Sequence, residues 1–135
     1  MIVYIFDTNM ISALMKNDEK VRAKFEEAVD SKKIVFMSGI NHYEIKRGFL
    51  AVNATRKLRI YDEIRKLFQM LFLDDEAVFD KAAEIHADLK RRGELIQDAD
   101  IFIAATALLQ NLILVSNDLH FQRISSLTTE NWIRD

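Results

Sequence analysis

Continuous apolar runs alternate along this chain with segments whose apolar residues recur at helical spacing. Four runs have the length of short strands, and they cover residues 2–6, 34–37, 71–73 and 112–115. The spacing between them predicts helices over about 8–15, 18–31, 39–51, 54–70 and 75–92, and a sixth from Asp98 to Asn111. The run 112–115 has no polar alternation, which is typical of a strand that is covered on both faces.

This alternation predicts an α/β fold, because parallel strands need helical crossovers that pack against the sheet. We therefore expect a three-layer α/β/α domain with a mostly parallel central sheet. The 135 residues include no proline, three glycines and no linker-like stretch, so residues 1–135 are expected to form a single domain. Ligands of such sheets bind beyond the carboxyl ends of the strands, where polar residues are candidates for function.

The composition removes several kinds of chemistry. The chain has no cysteine, so disulfides, thiolate metal sites and cysteine nucleophiles are excluded. A formal net charge of -2 does not by itself indicate a protein that binds nucleic acid. No stretch approaches the roughly 20 apolar residues of a membrane span, and no signal peptide is recognisable. We expect a soluble, cytoplasmic protein with no membrane partner.

Two carboxylates lie just beyond the ends of predicted strands. Asp7 follows the strand 2–6 and Asp118 follows the strand 112–115, so a parallel sheet places both at the same edge. Asp7 has an alternative role as the cap of the next helix, and Asp118 has an alternative role as an ordinary loop acid.

Two more carboxylates lie on predicted helices. Asp100 shares a helix face with Ala104, in a helix that we expect Asp98 to cap, and an acid in the first turn also benefits from the helix dipole. Glu44 lies beyond the first turn of a helix capped by Ser38, so the dipole stabilises it little. Its alternative is a partly exposed position at the boundary of the core.

Convergence of the four acids would require a cation, since their mutual repulsion otherwise raises their pKa values or opens the site. Oxygen ligands without cysteine or clustered histidine favour Mg²⁺ or Mn²⁺ over zinc. Such ions polarise phosphoryl oxygens and activate water, which is the chemistry of phosphodiester hydrolysis.

The motifs around these acids resemble those of a known family. FDTN follows the first predicted strand, HYE lies in the third helix, DADIFIAATAL opens the sixth helix, and LVSNDLHFQRI contains the end of the last predicted strand. The closing LTTENW is similar to a terminal strand. In this order and spacing, over essentially the whole chain, they resemble the PIN-domain ribonucleases, most closely the VapC-type toxins of toxin–antitoxin systems.

The resemblance implies roles for individual residues. The family's four acidic positions, which are catalytic and bind one or two Mg²⁺ or Mn²⁺ ions, fall on Asp7, Glu44, Asp100 and Asp118. Supporting positions that orient a carboxylate or a water fall on Thr8 and Ser116, with Asn9 and Asn117 as further candidates. The implied reaction is endonucleolytic cleavage of RNA, which leaves a 5′-phosphate and a 3′-hydroxyl. Metal binding is then expected to be the main role of Asp7, with capping of the next helix as a secondary role.

The family resemblance also implies partners. We expect a cognate VapB-like antitoxin and a homodimer. The apolar residues of 49–72, which include Leu50 and Leu67, are expected to lie mostly in the core, with some at the dimer face or in a groove for an antitoxin helix.

Basic residues flank the predicted site. The cations expected to contact RNA phosphates are Lys46, Arg47, Arg56, Lys57, Arg59, Lys90, Arg91 and Arg92. The alternative for each is a solvated helical face. The histidines, His42, His86 and His120, are expected to be structural or exposed.

Other functions remain open on the sequence alone. One is a PIN-domain nuclease that processes a cellular RNA and has no antitoxin. A phosphotransfer enzyme or receiver domain also places Asp after a parallel strand, but the segment from Asp7 to Asn9 lacks the second Asp of a phosphatase motif. A non-catalytic binding module would show no affinity for divalent metals at the acids.

Overall fold

β1 (Val3–Phe6) is the central strand of a five-stranded sheet in the computed structural model, which describes residues 2–134. The other strands are β2 (Ile34–Ser38), β3 (Gln69–Leu71), β4 (Ile113–Val115) and β5 (Thr129–Glu130). Their spatial order is β3-β2-β1-β4-β5, and each strand pair within residues 2–134 is parallel. The predicted parallel sheet is confirmed.

Helices connect the strands. They are α1 (Thr8–Met15), α2 (Glu19–Asp30), α3 (Gly39–Ala51), α4 (Thr55–Arg65), α5 (Glu76–Arg91) and α6 (Asp98–Gln110), and a 3₁₀ helix spans Leu119–Arg123. Gly93 has a φ of 67° just after α5, so it takes the left-handed conformation predicted for that helix end. Within residues 2–134, no helix has both the length and the apolar character to cross a bilayer.

The predicted helix 54–70 is too long, since α4 ends at Arg65. The reason is the burial of Phe68, whose ring lies 5.3 Å from that of Phe6 and 5.1 Å from that of Phe25, measured between centroids. The chain leaves the helix to place this ring in the core, because aromatic burial outweighs one more helical turn.

The predicted strand 71–73 is displaced by two residues from the observed β3. β3 pairs with the end of β2, with Gln69 opposite Phe36 and Leu71 opposite Ser38. Phe72 lies beyond this pairing and is 66% exposed. The apolar run therefore marked the neighbourhood of the strand, whereas backbone pairing with β2 decides its register.

The alternation of side chains along β1 separates two cores. Tyr4 and Phe6 point to the side that is covered by α1, α2, α3 and α4. Ile5 points to the opposite side and packs with residues of α5 and α6. The expected three-layer α/β/α architecture is confirmed.

The carboxyl ends of β1 and β4 lie side by side. Phe6 pairs with Val115, and the backbone N–H of Asp7 donates to the carbonyl oxygen of Val115 at 3.2 Å. β2 ends next to β1 at Ser38, where α3 begins. The residues that follow these three strands therefore meet at one edge of the sheet.

Candidate active site

A cleft of about 620 Å³ opens at this edge. The four acids singled out in the sequence line it together, namely Asp7, Glu44, Asp100 and Asp118. The other lining residues are Thr8, Asn9, Leu95, Ile96, Gln97, His120 and Arg123. The structure therefore brings the predicted acids into one cavity.

The two carboxylate oxygens of Asp7 accept hydrogen bonds from different partners. The residue is 3% exposed. Its Oδ1 accepts a 2.8 Å hydrogen bond from the backbone N–H of Met10 and so caps α1. Its Oδ2 accepts a 2.5 Å hydrogen bond from the Ser116 hydroxyl. The expected secondary role of Asp7 as a helix cap is confirmed, and its role in metal binding stays a prediction.

Ser116 links two of the acids. Its hydroxyl proton is donated to Asp7, while its Oγ accepts the backbone N–H of Asp118 at 2.9 Å. Ser116 is 6% exposed, so both bonds are shielded from water. The buried hydroxyl thus fixes Asp7 relative to the backbone that carries Asp118.

Glu44 is held by a chain of hydrogen bonds from the start of α3. The Thr8 hydroxyl donates to Glu44 Oε1 at 2.8 Å. The Asn41 side-chain amide donates to Thr8 Oγ1 at 3.0 Å, while its carbonyl oxygen accepts the backbone N–H of Ser38 at 2.8 Å. Asn41 is fully buried and its amide N–H occupies the Thr8 oxygen, so the single hydroxyl proton of Thr8 points to Glu44.

His120 lies between two of the acids. Its Nδ1 is 2.8 Å from Asp118 Oδ1, and its Nε2 is 3.1 Å from Asp100 Oδ2. The buried Nε2 has no partner with hydrogen-bond geometry within residues 2–134, so its relation to Asp100 is a close electrostatic contact. His120 was expected to be structural or exposed, and the 3₁₀ turn after Asp118 folds its side chain into the lining of the cleft, where it contacts two of the acids.

Two carboxylates are costly to ionise in the metal-free cleft. Burial raises the pKa of Asp7 from 3.8 to about 6, although the hydrogen bonds from Ser116 and Met10 lower it. Burial likewise raises the pKa of Asp100, with further contributions from the charges of Glu44 and Asp118, while His120 opposes the rise. The positive groups of the protein around the cleft therefore do not fully neutralise the negative charge of its carboxylates.

The donor set fits a hard divalent cation by its chemistry. All four acids supply oxygen, and the raised pKa values are what a bound cation would reverse. Within residues 2–134, no three His, Asp or Glu side chains converge into a ready-made metal cage. The carboxylates share the cavity while several of their oxygens are engaged by Thr8, Ser116 and His120, so a cation would have to draw them closer.

The two asparagines predicted as supporting residues are placed differently. Asn9 is exposed and lines the cleft. Asn117 is turned towards the end of the chain, and its Oδ1 accepts the side-chain N–H of Asn131 at 2.7 Å. Of the two, the structure brings only Asn9 to the acids.

The predicted cap at Asp98 is wrong. Gln97 is the N-cap residue of α6, with an extended ψ of 148°, and Asp98 is the first helical residue. No side chain caps this end of the helix within the described part of the chain. The helix starts one residue earlier than the sequence suggested, because Gln97 rather than Asp98 has the extended backbone conformation that precedes it.

The basic residues predicted to bind RNA lie outside the lining of the cleft in the described structure. They are Lys46, Arg47, Arg56, Lys57, Arg59, Lys90, Arg91 and Arg92. Arg47 comes nearest to the acids, with its Nη2 3.8 Å from Glu44 Oε2. Arg92 is held by Asp88 and Glu94. A role in RNA binding remains a prediction for these residues.

Besides His120, two residues of the site were not anticipated, Asn41 and Arg123. Asn41 had a local signal, since Ser38 and Asn41 have the spacing of a capping box. No local signal in the sequence pointed to Arg123, because its position beside the cleft depends on the segment between α5 and α6.

The profile of the PIN domain matches residues 4–127. Ribonuclease VapC1 of Haemophilus influenzae is 28% identical over 134 residues, covering 98% of this chain and 99% of the relative. Ribonuclease VapC1 of Methanocaldococcus jannaschii is 36% identical over 89 residues, covering 65% of this chain and 62% of the relative.

Solved structures agree with the sequence matches. DNA-bound VapBC of Salmonella typhimurium superposes with a TM-score of 0.86 at 26% identity, covering 98% of this chain and 99% of that one. VapBC2 of Rickettsia felis superposes with a TM-score of 0.89, and at 22% identity it supports the fold, covering 97% of this chain and 99% of that one. The family resemblance is thus confirmed: the chain belongs to the PIN domain family, and relatives that it matches over nearly its full length are VapC ribonucleases.

Proposed function

We propose that this protein is a Mg²⁺- or Mn²⁺-dependent endoribonuclease that acts as the toxin of a toxin–antitoxin pair. The observation that carries the proposal is the shared cleft of Asp7, Glu44, Asp100 and Asp118 in a PIN-domain chain. Relatives that match nearly the whole chain are named ribonucleases, which supports the choice of RNA as the substrate.

The four acids would hold the divalent cation, and the hydroxyls of Thr8 and Ser116 would orient them. When bound, such a cation polarises a phosphoryl oxygen and lowers the pKa of bound water towards neutral pH. Thr8 fixes one oxygen of Glu44, and Ser116 fixes one oxygen of Asp7. These bonds keep the carboxylates from turning away from one another, so less ordering remains to be done when substrate enters.

The proposed partners are a VapB-like antitoxin and a second copy of the chain. Related structures at 26% and 28% identity are VapBC assemblies. Large apolar side chains are exposed along α3 and just after α4, namely Tyr43, Leu50, Val52 and Leu67. Leu50 and Leu67 belong to the segment whose apolar residues were expected mostly in the core and partly at an interface, and their exposure provides apolar area that a partner would cover.

Cleavage of RNA by the purified protein tests the activity. We expect products with Mg²⁺ or Mn²⁺ and none in EDTA. Asp7→Asn should abolish cleavage, because it removes a carboxylate charge while its side-chain oxygen can still cap α1.

Asp75→Asn is the matched control for that substitution. Asp75 caps α5 through a 3.0 Å hydrogen bond from the backbone N–H of Ala77 and does not line the cleft. This variant should cleave as well as the wild type. Cleavage that persists in EDTA, or full activity in Asp7→Asn, would refute the metal-dependent mechanism.

Expression in a bacterial host separates a toxin from an RNA-processing nuclease. The wild-type chain should arrest growth when expressed alone, and co-expression of its antitoxin should relieve the arrest. Normal growth with an active enzyme would support the processing nuclease instead.

A further inference from the structure

Arg123 is the one lysine or arginine among the residues of 2–134 that line the acidic cleft. It stands at the end of the 3₁₀ helix Leu119–Arg123, next in the fold to the segment that joins α5 to α6. Leu95, Ile96 and Gln97 of that segment line the same cleft. The wall that carries Arg123 therefore places a cation in the lining of the acidic cleft.

Two arginines hold this wall in place by reciprocal hydrogen bonds. Arg123 Nη1 donates to the carbonyl oxygen of Glu94 at 3.2 Å, with a longer contact of 3.4 Å to that of Leu95. Arg92 Nη2 donates in return to the carbonyl oxygen of Arg123 at 2.6 Å. Arg92 is itself fixed by Asp88 and Glu94 at 2.8 and 2.7 Å. The backbone and one end of the Arg123 side chain are thus anchored.

The charge of Arg123 is not used by the protein. Within the described chain its guanidinium has no carboxylate partner at ion-pair distance, and its hydrogen bonds go to neutral carbonyl oxygens through Nη1 alone. A guanidinium has five N–H donors, so those on Nε and Nη2 are available in a geometry suited to two phosphate oxygens. Arg92 differs, because its charge is already paired with Asp88 and Glu94.

We propose that Arg123 binds a phosphate of the RNA substrate beside the scissile position, through the guanidinium N–H donors that its hydrogen bonds to Glu94 and Leu95 leave available. This rests on the proposed ribonuclease function. The cleft carries four carboxylates and repels a polyanion, so a fixed cation at its wall is needed where the strand enters. Anchoring by Glu94 and Arg92 presents the charge with little loss of side-chain entropy on binding.

Salt dependence of RNA binding tests this role. Labelled single-stranded RNA is titrated with protein in Mg²⁺ over a range of KCl concentrations, in an Asp7→Asn background that leaves the RNA intact. Arg123→Gln should weaken binding about five- to tenfold and lower the slope of log affinity against log salt by about 0.7, the value for one phosphate contact on a single strand. Arg123→Lys should keep the slope and bind with intermediate affinity, because it keeps the charge and loses the planar fork.

Lys16→Gln is the matched control, since Lys16 is exposed at the end of α1, lies outside the lining of the cleft and is not among the cations predicted to contact RNA. It should leave both the affinity and the slope unchanged. In the otherwise wild-type enzyme, Arg123→Gln should raise KM more than it lowers kcat. A merely structural role for Arg123 would lower the melting temperature without changing the salt slope, and that result would overturn the proposal.

These experiments also distinguish a failure of the proposed ribonuclease function from a failure of the proposed role of Arg123. A wild-type protein that does not cleave RNA would refute the proposed function. A wild-type protein that cleaves RNA, together with an Arg123→Gln variant of unchanged affinity and slope, would refute the role of Arg123 alone.

Discussion

At the scale of single residues, the acids of this cleft serve the fold and the site together. Asp7 caps α1 with one oxygen and receives the Ser116 hydroxyl with the other. Glu44 depends on Thr8, whose hydroxyl proton is directed by the buried amide of Asn41. Sequence alone can identify such acids, but the sharing of their oxygens depends on distances between residues far apart in the chain.

The raised pKa of Asp7 makes metal-free stability depend on pH. Its pKa is 3.8 in the unfolded chain and about 6 in the folded one, mainly because burial disfavours the charge. The folded state binds the proton more tightly, so the stabilisation from protonation is fully present below pH 3.8 and is lost as the pH rises through about 6. The cost of ionisation at neutral pH is at most about 3 kcal/mol.

Asp7→Asn should remove this dependence. In EDTA we expect the variant to be more stable than the wild type at pH 7.5, and the difference to shrink at pH 4.5, as measured by urea unfolding. Asp75→Asn should titrate like the wild type. Parallel stability curves for wild type and Asp7→Asn would show that the charge of Asp7 costs nothing in the folded state.

At the scale of elements, the sequence predicted the presence of helices and strands better than their ends. The strands near 2–6, 34–37 and 112–115 were recognisable because continuous apolar runs of that length suit buried parallel strands. α4 and β3 were misplaced because the burial of Phe68 and the pairing with β2 set their limits. Those constraints come from tertiary contacts, which periodicity does not contain.

Arg92 gives a test at this scale. The sequence placed it among the RNA-binding cations, whereas the structure has it joining α5 to the 3₁₀ helix through Asp88, Glu94 and the carbonyl oxygen of Arg123. Arg92→Gln should lower the melting temperature and leave the salt slope of RNA binding nearly unchanged. Arg91→Gln, one residue earlier on the same exposed turn, should leave the melting temperature at its wild-type value. If Arg92→Gln instead lowers the salt slope of RNA binding and leaves the melting temperature unchanged, the result would support the prediction that Arg92 contacts RNA.

At the scale of the whole molecule, the parallel sheet explains why four distant acids meet. β1 and β4 are neighbours and end at the same edge, and α3 starts from the end of β2 beside them. This convergence was predictable, since it follows from topology and from the positions of the acids after strands. The role of Arg123 was not predictable from the sequence, because it depends on the folding of the segment between α5 and α6 against the 3₁₀ helix.

The central claim is that the acidic cleft is a divalent-metal site, and calorimetric titration of the metal-free protein with Mn²⁺ tests it most directly. We expect saturable binding by the wild type and by Asp75→Asn, and its loss in Asp7→Asn, because that substitution removes one of the four predicted carboxylate ligands. A wild-type protein without measurable Mn²⁺ binding, or an Asp7→Asn variant that binds Mn²⁺ equally well, would contradict the account.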